Sequence, residues 1–242
     1  MSFINNLIPQ KMKTPACSMV VLAAGSSQRM GYDKITADLK GKPVILRTLQ
    51  AFEDSECVNE IIVVTRNESL AELSDIIAQA GLKKVKKVVE GGKTRAESSN
   101  IGIFQCNRNA KLIGIHDGAR PLITEDVILR CAKGARSNRA CIPGIPPTDT
   151  IKQIDVKHEV ERTVPREKTR LIQTPQIFDA SLIKGALTKA INEGWTITDD
   201  ASAVEMMGIN IHVVEGSPEN IKLTSPIDFY VAEKILESRG VE

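Results

Sequence analysis

Between residues 17 and 145 the chain alternates short apolar runs with stretches of helical period, and this alternation constrains the fold more than any other feature. Met19 to Ala23, Glu60 to Thr65, Val85 to Glu90, Lys111 to Ile115 and Ala140 to Ile145 read as strands. Pro43 can open a helix whose Ile45, Leu46, Leu49 and Phe52 share a face. Asn67 is placed to cap the next helix, with Leu70, Leu73, Ile76, Ile77 and Ala80 as its buried stripe and Gly81 at its end. Thr94 to Phe104 forms a third helix, and Thr124 caps a fourth, with Glu125 and Asp126 in its first turn. Strands that alternate with helices pair in parallel, with the helices covering both faces. The pattern therefore predicts an α/β fold built on a mostly parallel sheet.

After residue 145 the pattern changes. Thr150 to Ile154 and Glu159 to Val164 are short alternating runs around a polar turn, which predicts a projecting β-hairpin arm over about 150–166. A two-stranded arm is rarely stable alone, so a second copy of the chain is expected to pack against it as a homodimer. Asp179 caps a helix that ends near Gly194, a second helix runs from about Asp199 to Met207, Ile209 to Val214 is a strand, and a last helix runs from near Pro226 to Gly240. Residues 1–16, limited by Pro9 and Pro15, read as a loose tail, and residues 17–240 as a single domain.

Chemistry enters at residues 19–34, MVVLAAGSSQRMGYDK, where the first strand breaks into the small residues Ala23, Ala24, Gly25, Ser26 and Ser27 and then into Arg29 and Lys34. Loops at the carboxyl ends of parallel strands can present backbone N–H groups to an anion, and two nearby cations suit a triphosphate. An ordinary turn flanked by solvated cations would have the same composition; the ordered occurrence of loop, Arg, Gly and Lys favours phosphate. Ser27 stands where a G-x-G-x-x-G fingerprint needs Gly, which disfavours a dinucleotide site. KVVEGGKT at 87–94 ends like a phosphate-cradling loop but begins with Lys87, and reads as a strand and a Gly91-Gly92 turn.

Asp117 follows a buried strand at the same sheet edge, where one carboxylate can hold Mg²⁺ against phosphate oxygens, and Arg120 stands three residues on. His116, His158 and His212 have no ligand spacing, and His116 reads as a hydrogen-bonded core residue. Ser98 lacks a nucleophile elbow. Asp199 and Asp200 are adjacent, so on a helix their side chains diverge by about 100°.

A net charge of +2 and only eight aromatic residues argue against a nucleic-acid surface. No run approaches the ~20 apolar residues of a membrane span. Five widely spaced cysteines, without a C-x-x-C pair, read as buried free thiols of a reducing, cytoplasmic protein. Lys83, Lys84, Lys86 and Lys87 read as the solvated flank of an edge strand.

In order, AAGSSQRMG, DK, EGGKTRAESS, HDGARP, DTIK, TPQIF, TDDAS and NIKLTSPID resemble the cytidylyltransferases that act on 2-C-methyl-D-erythritol 4-phosphate, over residues 18–238. The resemblance implies a Rossmann-like three-layer nucleotidyltransferase fold. It also implies transfer of CMP from CTP to that polyol phosphate in non-mevalonate isoprenoid biosynthesis, with Mg²⁺ and release of pyrophosphate. By position it implies that Ala23, Ala24, Gly25 and Ser26, with Arg29 and Lys34, hold the triphosphate. Gly92 and Ser98 approach the cytidine, with Asp117 and Gly118 beside the nucleotide and Asp117 holding the metal. Arg120, Thr150, Thr198 and Lys222 receive the polyol phosphate, joined by Arg166 of a second subunit. Arg29, Lys34 and Lys222 are the implied catalytic residues.

The sequence departs from the family pattern at Ser27, at Ile35-Thr36 and at Lys93. Rival readings are a ribitol-5-phosphate cytidylyltransferase, which Thr198 in TDDAS disfavours, and a molybdenum-cofactor guanylyltransferase, which DGARP, TPQIF and NIKLT disfavour. A nucleotide-binding module without turnover is a third, and it leaves the full set of Arg29, Lys34, Asp117 and Lys222 unexplained.

Overall fold

The computed structural model describes residues 15–25 and 33–241. Strand β1 (Cys17–Leu22) is followed by a two-stranded ribbon, β2 (Asp38–Leu39) with β3 (Lys42–Pro43), and by helix α1 (Val44–Asp54). Then β4 (Val58–Thr65), α2 (Leu70–Gln79), β5 (Val85–Glu90), α3 (Arg95–Gln105), β6 (Leu112–Asp117), α4 (Glu125–Asn138) and β7 (Ala140–Ile145) alternate as predicted. The arm is β8 (Lys152–Ile154) paired antiparallel with β9 (Val160–Thr163). β10 (Leu171–Ile172), β11 (Gln176–Asp179), α5 (Ala180–Asn192), α6 (Asp200–Glu205), β12 (His212–Glu215) and α7 (Pro226–Ser238) complete the described elements.

Eight strands make one sheet in the order β10-β7-β11-β6-β1-β4-β5, with β12 also on β7. Gly144 pairs with both Ile172 and Glu215, so β10 and β12 flank β7 from opposite sides. The β1 pairs with β4 and β6, and the β4–β5 and β7–β12 pairs, are parallel; β10 and β11 run against their neighbours.

Alternation along the strands sorts side chains into two layers. Met19, Val21, Ile61 and Val63 pack with Ile45, Leu49 and Phe52 of α1 and with Val127 and Ile128 of α4. Val20, Ile62 and Val64 face Ile103 of α3 and Leu182 and Ile183 of α5. A third cluster, in which Phe229, Ala232 and Leu236 of α7 meet Leu39, Val44, Leu122 and Leu223, ties the segment before α7 to the start of α1. Each large side chain fully buried in these layers contributes roughly 1.5–3 kcal/mol. α3 lies unusually close to the sheet: a Cβ on Gly102 would stand 2.4 Å from Val20 Cγ1 and 2.8 Å from Val64 Cγ2.

Several local expectations change. Asn67 opens a short 3-10 turn over residues 67–69 and donates to Glu90 at 3.0 Å, so α2 begins three residues later without a side-chain cap. In α2 only Leu73 and Ile77 of the predicted stripe are buried, because one side of β5 at the sheet edge leaves the rest uncovered. Thr124 occupies the N-cap position of α4, but its hydroxyl bonds the Asp126 carboxylate instead of the backbone. Pro43 ends β3 and flanks α1. TPQIF carries the unpredicted β11, which enters the sheet antiparallel between β6 and β7. Residues 1–14 lie outside the described residues, as do Ser26, Ser27 and Arg29.

Candidate active site at the carboxyl edge of the sheet

Leu22 at the end of β1 is paired with Asp117 at the end of β6, which brings the small-residue loop and the predicted metal ligand side by side. Gly118 N–H donates to the Leu22 carbonyl at 2.8 Å, and Thr48 Oγ1 of α1 donates to the Gly118 carbonyl at 2.8 Å, so the turn after β6 is pinned from two sides. Above this edge lies a cleft of about 330 Å³. Its walls are Leu22, Ala24 and Gly25 after β1, Lys34 and Ile35, Gly92 to Arg95 and Ser98 at the start of α3, Asp117 and Ala119 after β6, and Lys222.

The double glycine is explained by the tight entry to α3. A Cβ at Gly91 would meet Ser98 Oγ at 2.7 Å, and one at Gly92 would meet Glu97 Cβ at 2.3 Å. Ser98 Oγ accepts from Gly92 N–H at 3.1 Å and donates to the Thr94 carbonyl at 3.0 Å. Thr94 caps the helix by accepting from Glu97 N–H, while Glu97 accepts from Lys93 N–H at 2.6 Å.

Asp117 is the electrostatic centre. Lys222 Nζ stands 2.9 Å from Oδ2, Arg120 Nε 3.6 Å from the same oxygen and Arg95 Nη2 3.5 Å from Oδ1. Burial by itself would raise this carboxyl's pKa, but the three cations outweigh it and hold the group well below the usual carboxylate range. Arg120 also donates through Nη1 to the Asn220 carbonyl at 2.7 Å, which places Lys222 two residues further on.

Behind Asp117 lies a neutral relay. Asp117 N–H donates to Thr174 Oγ1 at 3.1 Å, so the Thr174 hydroxyl hydrogen goes to His116 Nδ1 at 3.0 Å and His116 Nε2–H donates to the Arg120 carbonyl at 3.2 Å. Burial lowers the His116 pKa to about 3, which agrees with its expected role as a core residue.

Of the residues singled out in the sequence, Ala24, Gly25, Lys34, Gly92, Ser98, Asp117 and Lys222 share the cleft. Ala23 is buried in the core beneath it, Gly118 supports the turn, and Arg120 stands behind Asp117. Thr198 is exposed and hydrogen-bonds Ser202 Oγ at 3.0 Å, while Thr150 and Arg166 are exposed beside the arm; none of the three lines the cleft of this chain. Ser26 and Arg29 lie outside the described residues. Sequence reasoning missed Arg95. Its guanidinium lies 2.8 Å from Asp200 of α6, a contact that no local pattern announces.

An α/β sheet with a cationic cleft at its carboxyl edge, around one ionised carboxylate, defines a protein that binds and transfers nucleotide phosphates. Comparison with known proteins narrows the class. The chain belongs to the 2-C-methyl-D-erythritol 4-phosphate cytidylyltransferase (IspD) family, whose model matches residues 17–238. It is 39% identical over 224 residues to the protein of that name from Halalkalibacterium halodurans, covering 92% of this chain and 97% of that one. The corresponding protein from Nostoc punctiforme is 36% identical over 225 residues, covering 92% of this chain and 99% of that one. The crystal structure of 4-diphosphocytidyl-2C-methyl-D-erythritol synthase from Anaerococcus prevotii superposes with a TM-score of 0.84 at 30% identity, covering 93% of this chain and 97% of that one.

Proposed function

We propose that the protein transfers the cytidylyl group of CTP to 2-C-methyl-D-erythritol 4-phosphate. The transfer forms 4-diphosphocytidyl-2-C-methyl-D-erythritol and pyrophosphate in non-mevalonate isoprenoid biosynthesis. The observation that carries this reading is the family match across residues 17–238, with Lys34, Asp117 and Lys222 meeting in one cleft at the carboxyl edge. A phosphate monoester is largely dianionic at neutral pH, since its second pKa is about 6, so its oxygen can attack the α-phosphorus without a general base. The new P–O bond forms as the bond to the pyrophosphate oxygen breaks, and that leaving group carries the electron pair away. The protein's work is to set two anions in line and to neutralise charge.

In this reading Ala23, Ala24, Gly25 and Ser26, with Arg29 and Lys34, hold the triphosphate. Gly92 and Ser98 approach the cytidine, and Arg120, Thr150, Thr198 and Lys222 receive the acceptor. No group of three or more His, Cys, Asp or Glu ligands exists among the described residues, but a lone ionised carboxylate suits Mg²⁺, which takes one or two carboxylates and completes its shell with water and phosphate. Asp117 would hold that ion, and the ion would neutralise phosphate charge.

We also infer a homodimer in which Arg166 serves the partner's site. Ile154 and Val160 on the arm are more than 45% exposed and Val156 is 97% exposed, apolar surface that a second arm can cover. Residues 17–240 form one nucleotidyltransferase domain in this reading. Five buried thiols, none in a disulfide, support a reducing, cytoplasmic setting.

Pyrophosphate release with Mg²⁺ and CTP, comparing methylerythritol 4-phosphate with ribitol 5-phosphate, tests the proposal. Release selective for CTP and methylerythritol 4-phosphate is expected. Preference for ribitol 5-phosphate would move the protein to the rival acceptor, and no release with either would refute the activity.

A further inference from the structure

Asp200 is an anomaly in the core. Its side chain is wholly inaccessible to water, in the first turn of α6, yet neither carboxylate oxygen has a partner in hydrogen-bond geometry. Burial raises its pKa, and the Arg95 guanidinium, with a lesser contribution from the neighbouring Ser99 hydroxyl, opposes that shift. A buried carboxylate with so few well-aligned partners is expensive to keep unless the arrangement serves something else. Among the described residues its one ion pair is with Arg95, whose Nη1 lies 2.8 Å from Oδ2. The next residue back, Asp199, is fully occupied by comparison: it accepts from Ser202 N–H at 2.9 Å and from Gln176 Nε2 at 2.6 Å, while Gln176 Oε1 accepts from Ala201 N–H at 2.9 Å. β11 and the start of α6 are thus locked together, and Asp200 is fixed in place.

Arg95 is held from behind and open in front. It is the first residue of α3 after the Thr94 cap, it lines the cleft, and a third of its side chain remains accessible. Its Nη2 reaches Asp117 at only 3.5 Å, a long contact next to the 2.8 Å pair with Asp200. A guanidinium carries five N–H donors in a rigid fork, and these two contacts leave donors for a ligand in the cleft.

We propose that Arg95 is a further phosphate-binding residue of the transfer site, and that Asp200 is the positioning residue that presents its fork to the bound nucleotide. This rests on the cytidylyltransferase reading for the identity of the nucleotide, but not for the presence of a phosphate. Fixing the fork on α6 spares the guanidinium the loss of rotamer freedom on each binding event. The alternative role for Arg95 is purely structural, to neutralise Asp200.

Calorimetric binding of CTP and of inorganic pyrophosphate separates the two. Arg95→Gln is expected to weaken both ligands at least ~10-fold, the scale of a lost hydrogen bond to a charged group. Arg95→Lys keeps the charge but loses the fork, and is expected to fall between Arg95→Gln and wild type. Asp200→Asn leaves Arg95 in place but unanchored, and is expected to weaken both ligands by a few-fold. The double variant Arg95→Met/Asp200→Leu replaces the pair with apolar groups; it is expected to fold and to bind as poorly as Arg95→Gln. Binding within twofold of wild type in Arg95→Gln, or in the double variant, would overturn the proposal. If Arg95→Gln does not fold, the Arg95→Lys and double variants decide. Turnover by the wild type is measured separately. An inactive wild type whose pyrophosphate affinity still depends on Arg95 would refute the transferase reading and leave the Arg95 site standing.

Discussion

Acidification tests the account of His116 directly. The ring is fully buried, and the neutral tautomer already uses both nitrogens, accepting from Thr174 and donating to the Arg120 carbonyl. A second proton on Nδ1 would break the Thr174 bond and bury a charge, and burial accordingly takes the pKa from 6.5 down to about 3. The folded-state value is the lower of the two, so below pH 6.5 the unfolded chain binds a proton that the folded chain refuses. The stability from this group is therefore full above pH 6.5 and drains away as the pH falls toward 3. At pH 4.5, two units below the unfolded value, the loss is about 2.7 kcal/mol, two units at roughly 1.36 kcal/mol each.

Carboxylates held low, such as Asp228, also lose stability in acid, so the effect is read as a difference between two proteins. His116→Gln keeps one acceptor and one donor but does not titrate. Urea unfolding of both proteins at pH 7 and pH 4.5 is expected to show the variant less stable at pH 7, yet losing about 2.7 kcal/mol less than wild type on acidification. Loss in parallel, within ~0.5 kcal/mol, or an NMR titration that places the folded ring near its unfolded pKa, would refute the reasoning.

Three other outcomes follow from the same geometry. Gly102→Ala forces a methyl group against Val20 and Val64, and is expected to cost about 1–3 kcal/mol in urea unfolding; a neutral result would mean that α3 can lift from the sheet freely. Asp117→Asn removes the carboxylate while leaving Lys222 and Arg120 in place, and is expected to lower the rate of pyrophosphate release by about 10²–10³ with the fold intact by circular dichroism. Mixing inactive Lys34→Ala with inactive Arg166→Ala protein is expected to restore roughly a quarter of wild-type activity after subunit exchange, since one site of each mixed dimer is then intact; no recovery would place Arg166 in its own chain's site, and an Arg166→Ala protein active by itself would place it outside the mechanism.

The layers of the fold were legible because β1, β4 and β6 are continuous apolar runs, a pattern required by burial on both faces. Asp117 was legible for the same reason: a charged residue directly after such a run must sit at the sheet's edge. β11 was not, because four residues of QIFD carry no period long enough to distinguish a strand from a loop. Its position between β6 and β7 depends on the chain returning from the arm, which is a tertiary matter. Asn67 had the composition of a cap, but Glu90 across the β4–β5 edge competes for its amide. Arg95 and Asp200 are far apart in sequence, and each looks like an ordinary first-turn residue of a helix. Only the packing of α3 and α6 against α5 brings them together.

The arrangement around Asp117 has a consequence for how the cleft meets its ligand. Three cations on one carboxylate leave the cluster with surplus positive charge, and Lys34 and Lys93 add to it across the cleft. In the absence of ligand that repulsion is tolerated because each guanidinium has an anchor elsewhere, Arg120 on the Asn220 carbonyl and Arg95 on Asp200. Among the described residues Lys222 pairs with Asp117 alone, on a side chain that is 39% exposed. A polyphosphate entering the cleft relieves the repulsion of all of these groups, but Lys222 can turn toward it with the least disturbance. The same cations keep Asp117 ionised well below neutral pH, so the carboxylate that would hold a metal stays charged through mild acidification. Loss of activity on mild acidification should therefore follow protonation of the acceptor phosphate, near pH 6, and the site's own carboxylate should contribute nothing to it. A pH profile of kcat/KM whose acidic limb moves when the acceptor's phosphate pKa is lowered, as by a fluorinated analogue, would bear this out; a limb that stays fixed to the enzyme would show that a protein group controls the step.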